Sequence, residues 1–227
     1  MEIFKYNNMI ATYNGKPAYS TNMNCIDADG NSYNYIQIGT QIWMSEYLKT
    51  TKYNNGDLIG TTSTDISGET SPKYQWPVNN DEANVIPYGR LYTWFAATDS
   101  RNICPPGWHL PSVAEFQTLQ SYLGGESVCG GKLKEAGTTH WDAPNTGATN
   151  ESGFTALACG DRRCLGGFVY WDFSQFNALW SSGHDIAPSL NAKYFRLSYD
   201  SASGIIYFVG AGGLPDYYGK SVRCIRD

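Results

Sequence analysis

No run of lysine or arginine occurs anywhere in this 227-residue chain, and charged residues make up only 16% of it. Sixteen basic side chains stand against twenty-one acidic ones, a net charge of −5. Nucleic acids and anionic membranes attract basic patches, so neither is expected as the main partner. No stretch approaches the ~18 consecutive apolar residues of a membrane-spanning helix. The first residues hold no basic segment followed by an apolar run, so no signal segment is visible in this chain. The GxSxG, HExxH and phosphate-loop strings are missing as well. Six cysteines, Cys25, Cys104, Cys129, Cys159, Cys164 and Cys224, form no CxxC and no Cys/His pair at zinc spacing. Nothing here calls for a metal, a cofactor or a catalytic residue.

What the chain does have is aromatic side chains, 15% of the total, with 17 Tyr and 7 Trp. Tyr and Trp give large rigid contact areas with a polar tip, and the abundant Ser, Gly and Asn give adaptable hydrogen bonds. Two readings of that composition stand side by side: a recognition surface, or tyrosines covering a loop-rich fold. An even cysteine count in a low-charge, aromatic chain points to an oxidising compartment. The length is that of one domain with an N-terminal extension.

Residues 1–24 form that extension, with a turn at Asn14-Gly15. They read as an added hairpin or as a segment that docks on a neighbouring subunit. Residues 32–38 and 41–44 flank Gly39-Thr40, the signature of a type II′ hairpin. Residues 49–82 read as irregular. The spacing of Tyr88, Leu91, Trp94 and Phe95 predicts a helix over 84–97. A second helix starts at the N-cap Ser112 with Glu115 completing a capping box, and ends at Gly124. Val113, Phe116, Leu119 and Leu123 form its buried stripe. Short strands are expected at 154–158, 178–182, 194–199, 205–209 and 222–226. Helices followed by small sheets with long loops define an α+β layout.

Several strings recur as a set: DADGNSYNYIQIGTQIWMSEYLKTTKYNNG, YGRLYTWFAA, CPPGWHLPSVAEF, LGGESVCGGKLKEAGTTHW, NTGATNESGFTAL, LWSSG and SVRCIRD. On these the chain, from about Asp27 to Asp227, resembles the Fibrobacter succinogenes major paralogous domain family. The resemblance implies an exported bacterial surface protein with a C-type-lectin-like fold of the formylglycine-generating-enzyme variety. Two helices would pack on small twisted antiparallel sheets with long loops. The domain would run over 25–227, with a ligand-binding tail over 159–220. Some members of the broader fold group are variable proteins of diversity-generating retroelements, which randomise a C-terminal binding surface. Cys104 and Cys224 both lie in the recurring strings and are expected to form a disulfide closing a loop of ~120 residues. Cys25 with Cys129 is a second pairing open to the chain.

The tail departs from the family pattern. Gly160, Arg162, Gly166, Phe168, Trp180, Ser181 and Ser182 remain as anchors, while Arg163, Cys164, Leu165, Val169, Asp172, Phe173, Phe176 and Asn177 between them are unusual. Lys220 stands where an apolar residue is ordinary. Retained anchors with altered intervening positions fit a diversified surface, or drift in exposed loops. The candidate ligand-binding residues are Arg163, Leu165, Val169, Tyr170, Trp171, Asp172, Phe173, Phe176, Asn177, His184, Asp185, Tyr217 and Tyr218. They offer aromatic anchors edged by charge, the side chains that dominate binding energy at interfaces. The EPN, QPD and WND triplets of calcium-dependent sugar binding are absent. Asp27, Asp29 and Asn31 resemble half a calcium loop, but no downstream Glu completes it, and a tight turn is the simpler reading. Asn79, Asp81 and Glu82 read as a solvated loop. His109 and His140 read as structural residues that hold loops.

The expected function is therefore extracellular ligand binding, adhesin- or receptor-like. It would engage a protein or glycan on another cell or surface, without catalysis. One rival is a copper-dependent oxidase of formylglycine-generating type using Cys159 and Cys164, since thiolates favour Cu(I). The RGGS string that precedes the cysteine pair in such enzymes is missing, and a local disulfide or two unrelated thiols is the simpler account. Another rival is a structural subunit of a surface assembly docking through residues 1–24.

Overall fold

The structure, a computed structural model, describes residues 8–13, 16–20, 25–67, 69–164, 168–171, 173–184, 192–208 and 218–227. At 8–13, 16–20, 164, 168, 169, 171 and 208 the description covers the backbone alone. Asn8–Tyr13 (β1) and Lys16–Ser20 (β2) pair as an antiparallel hairpin in the extension. Tyr35–Ile38 (β3) and Gln41–Met44 (β4) form the expected hairpin. Gly39 takes φ 63°, and a Cβ there would lie 2.7 Å from the Tyr122 ring, so glycine is required twice over.

The helix expected over 84–97 is not continuous. Gln75–Pro77 (β5) is followed by a one-turn helix at Val85–Tyr88 (α1), a strand at Arg90–Tyr92 (β6) and another single turn at Trp94–Ala97 (α2). The break falls at Gly89, which adopts φ 65° and sits so close to Tyr47 that a Cβ would come within 2.5 Å of that side chain. Leu91 is buried as expected, but by pairing with Trp76 on one side and Ser221 on the other. A period of three to four residues is thus produced here by two turns flanking a central strand.

Trp108–His109 (β7) leads to the helix Val113–Tyr122 (α3), capped as its sequence requires. The Ser112 hydroxyl accepts from the Glu115 amide, and Glu115 accepts from the Ser112 amide. Phe116, Leu119 and Leu123 are buried. A further helix that the pattern did not indicate, Glu126–Leu133 (α4), contains Gly130-Gly131. Glycine pairs usually mark loops. Here they let the helix lie flush on backbone: Cβ atoms at 130 and 131 would each fall 2.1 Å from a carbonyl oxygen, of Ser203 and Gly147 respectively.

The tail supplies Asp161–Cys164 (β8), Phe168–Trp171 (β9), Phe176–His184 (β10), Ala192–Ser198 (β11) and Gly204–Phe208 (β12), followed by Lys220–Ser221 (β13) and Ile225–Arg226 (β14). One six-stranded sheet runs β12-β11-β10-β13-β6-β5, and a four-stranded one runs β3-β4-β14-β7. Pairing is antiparallel except between β10 and β13, where the chain returns parallel. Residues 154–158 are not a strand. Thr155 is in the left-handed region at φ 54°, and the carbonyls of Phe154 and Thr155 accept from the buried Arg223 guanidinium. Residues 222–226 form a strand only at their end, because Val222 and Cys224 accept from Leu48 and Met44 while the chain crosses between the sheets.

The architecture is α+β. One core lies between the sheet and α3, where Phe116 stacks on Phe195 at 4.9 Å and Trp43 packs at 5.3 Å from Phe116. A second surrounds the Cys104–Cys224 disulfide, which joins residues 120 apart, and a small third joins Ile66 to Trp76. Cys25 and Cys129 are free buried thiols, so the second pairing is not made. Each fully buried tryptophan finds a partner for its indole N–H: Gln41 for Trp43, Thr62 for Trp76, Ala156 for Trp141 and Tyr92 for Trp180.

Candidate functional site

The tail rests on a polar interior. Asp161 and Lys220 are both 3% exposed and form an ion pair at 2.8 Å. Arg163 donates from Nε to the other Asp161 oxygen at 2.9 Å. The Lys220 ammonium also lies 4.2 Å from the Tyr194 ring centre and 5.3 Å from that of Trp180. Burial pulls the Lys220 pKa down against the opposing pull of Asp161. A lysine therefore sits where an apolar residue was ordinary because a carboxylate and an aromatic box surround it. The anchor Arg162 is buried as well, its guanidinium 3.7 Å from the Trp76 ring.

Behind this layer Asn177 donates to the Tyr47 hydroxyl and to the Cys159 sulfur, both at 3.1 Å. Cys159 also lies 3.0 Å from the Ser221 hydroxyl. Burial pushes the Cys159 thiol up, against hydrogen bonds from Ser221 and Asn177. A fully enclosed thiol of raised pKa is a poor metal ligand and nucleophile.

The thirteen candidate residues divide by this geometry. Phe176 is 2% exposed, Tyr218 4%, and Asn177 is fully buried, so these three are withdrawn from the binding face. Period-2 alternation turns Asn177 toward Tyr47, and Phe176 is covered by the Arg196 guanidinium at 4.5 Å. Four others reach the outside. Arg163 is half-buried, 5.9 Å from the Tyr218 ring. The half-buried Tyr170 donates its hydroxyl to the Pro77 carbonyl at 3.1 Å, with the Asn80 side-chain oxygen at 3.0 Å. Phe173, 36% exposed, packs edge-on against Tyr88 at 5.2 Å. His184 stacks on Trp94 at 4.7 Å, away from the first three at the far end of β10. Leu165, Asp172, Asp185 and Tyr217 lie outside the described residues, as do the side chains of Val169 and Trp171.

The Trp94 end opens on a groove of about 500 Å³ lined by Trp94, Thr98, Asn102, His109, Leu110 and Ser182. The sequence marks His109 as structural, Trp94 as part of a helical stripe and Ser182 as an anchor, and none of the six as a site residue. His109 does hold loops: Nε2 meets Glu115 at 2.8 Å and Nδ1 meets Asp227 at 2.6 Å. His140 pairs with Glu135 at 2.8 Å. The DADGN segment is a closed turn, in which Asp27 accepts from Asp29, Asn31 and Tyr33 while Asp29 accepts from Thr51 and pairs with Lys52. Asp81 caps a short 3-10 turn and Glu82 pairs with Arg90. Among the described residues no cluster of three or more His, Cys, Asp or Glu could hold a metal ion, and no helix is long and apolar enough to cross a membrane.

An α+β domain whose C-terminal third is built into its main sheet is the class these observations define. The chain belongs to the Fibrobacter succinogenes major domain family, whose model matches residues 36–226. No curated protein and no solved structure matches it.

Proposed function

We propose that this chain is an extracellular, C-type-lectin-like ligand-binding domain whose tail presents a variable surface to a protein or glycan, and that it catalyses nothing. The observation that carries the reading is the division of labour within the tail. Asp161, Arg162, Asn177, Trp180 and Lys220 face inward and are buried, while Arg163, Tyr170, Phe173 and His184 reach the outside on the same strands and turns. Recognition tolerates change at such outward positions, whereas catalysis demands a fixed constellation to within about half an ångström. The Cys104–Cys224 disulfide supports export to an oxidising compartment. The oxidase alternative draws less support, because Cys159 is enclosed.

Two experiments test the reading. The parent chain and its R163A/F173A/H184A variant are screened on arrays of glycans and cell-surface proteins. A ligand bound by the parent and lost by the folded variant is expected. A parent that binds nothing, or a ligand retained by the variant, would overturn the reading. Sequencing the locus in several isolates tests diversification: differences should concentrate at outward positions such as Arg163 and Phe173 and spare Asn177 and Trp180. Equal variation at both sets contradicts it.

A further inference from the structure

Arg196 was not among the candidate residues, yet it lines a cavity and keeps a buried Nε without an acceptor. Pairing of β11 with β12 sets Tyr194 opposite Tyr207 and Arg196 opposite Ile205, so these four share one face of the sheet. The Arg196 guanidinium lies 4.5 Å from the Phe176 ring centre and 5.9 Å from that of Tyr207. Its Nε is buried without a hydrogen-bond acceptor, and among the described residues no carboxylate pairs with it. The buried Nε is out of a ligand's reach, so the terminal nitrogens on the cavity side are the ones that can grip a planar oxyanion through two parallel hydrogen bonds.

Arg196 forms one wall of a cavity of about 240 Å³, with Tyr207 and Ile205 beside it. Serines 198, 201 and 203 and Asp200 complete the lining. That volume lies below the roughly 300–1,000 Å³ of drug-sized pockets, so it suits one ring rather than an extended ligand. Asp200 accepts from the Ser198 hydroxyl at 2.6 Å, and Ser201 accepts from the Ser203 amide at 3.0 Å. The turn carrying them is fixed from beneath. The buried Lys134 ammonium donates to the carbonyls of Thr146, Ser198 and Ser201, and the Gly131 amide donates to Ala202. A bare anion would be repelled by Asp200. A ligand that carries both a carboxylate and several hydroxyls satisfies Arg196 and Asp200 together, beside the partly exposed Tyr207 ring, which stacks on Tyr194 at 5.8 Å.

We propose that this cleft binds a sugar acid of the uronate or sialate class, with its carboxylate on Arg196 and its hydroxyls on Asp200 and the serine rim. The proposal goes beyond the ligand-binding reading above, since none of Arg163, Tyr170, Phe173 and His184 lines this cleft, and it is tested without the array. The full chain is titrated with glucuronate and with N-acetylneuraminate, using acetate and glucose as controls. The Arg196 Nε–Hε signal, assigned from its loss in R196Q, is followed by NMR in the parent and D200N, and the backbone amide signals of residues 198–207 report binding in every variant, R196Q and R196K included. One of the two sugar acids should give a saturable shift at millimolar concentration, with acetate and glucose weaker by about tenfold or more. R196K, which keeps the charge but loses the fork, should weaken binding by about tenfold. D200N should abolish the preference for the sugar acid over acetate. Near-UV circular dichroism checks the fold of each variant, and the parent titration decides alone if a variant unfolds.

The absence of a saturable shift overturns the proposal. So does an equal response to acetate, tighter binding of an aspartate-rich peptide, or unchanged affinity in folded R196Q. An array ligand lost in R163A/F173A/H184A, with no sugar-acid shift in the parent, would sink this proposal and leave the broader reading standing. A sugar-acid shift with an empty array would do the reverse.

Discussion

Asp161 and Lys220 are 59 positions apart and meet in a nearly water-free site. A buried pair contributes little compared with an apolar replacement, but breaking it by removing one partner is expensive. Asp161→Ala should therefore lose about 3–5 kcal/mol, and adding Lys220→Met should recover most of it. Urea unfolding of the two variants checks this, and an additive double variant would contradict it. The sequence marks Lys220 as unusual but gives no sign of its partner, since only the fold brings residue 161 to it. His109 illustrates a different case. Burial disfavours its cation, yet the flanking Asp227 and Glu115 outweigh that and leave the pKa raised. The imidazolium is favoured in the folded state, so its stabilisation is complete below the unfolded pKa near 6.5 and is lost as pH rises through the higher folded value. The difference in melting temperature between the parent and His109→Gln should shrink from pH 5.5 to pH 9. A difference that grows over that range would reverse the assignment.

Elements were legible in the sequence where local chemistry determines them. The Gly39-Thr40 hairpin and the Ser112 capping box are each encoded within a few residues, and both form as expected. Residues 84–97 misled because apolar spacing carries no information about a sheet partner, although Pro87 and Gly89 both hinted at a break. Helix α4 was hidden for the opposite reason, since Gly130 and Gly131 are selected by contact with distant backbone rather than by helix propensity. Gly130→Ala would gain propensity in an isolated helix. Here it places a methyl group 2.1 Å from the Ser203 oxygen and should destabilise the protein by about 1–3 kcal/mol or more. Thermal unfolding of the variant distinguishes the two effects by sign.

At the scale of the whole molecule, a disulfide and the packed cores hold a tail that is half interior and half surface. The disulfide spans 120 residues, and Cys104→Ser/Cys224→Ser should cost about 2–5 kcal/mol in urea unfolding. An unaltered midpoint would show that the packed sheets alone fix the last strands. The candidate binding face was readable only as a region. The tail stands out by composition and by its departures from the family strings, but which side chains reach the surface depends on what each strand face packs against: Phe176 and Asn177 point to opposite faces and both are covered, while Phe173 lies in a turn. The most direct test of this account is the unfolding free energy of R163A, F173A and H184A set beside that of F176A. F173A and H184A should cost no more than about 1 kcal/mol each, R163A about 1.5–3 kcal/mol because it removes a hydrogen bond to the buried Asp161, and Phe176→Ala about 3–5 kcal/mol. Outward substitutions that destabilise the protein as much as Phe176→Ala would contradict the separation of frame from display surface.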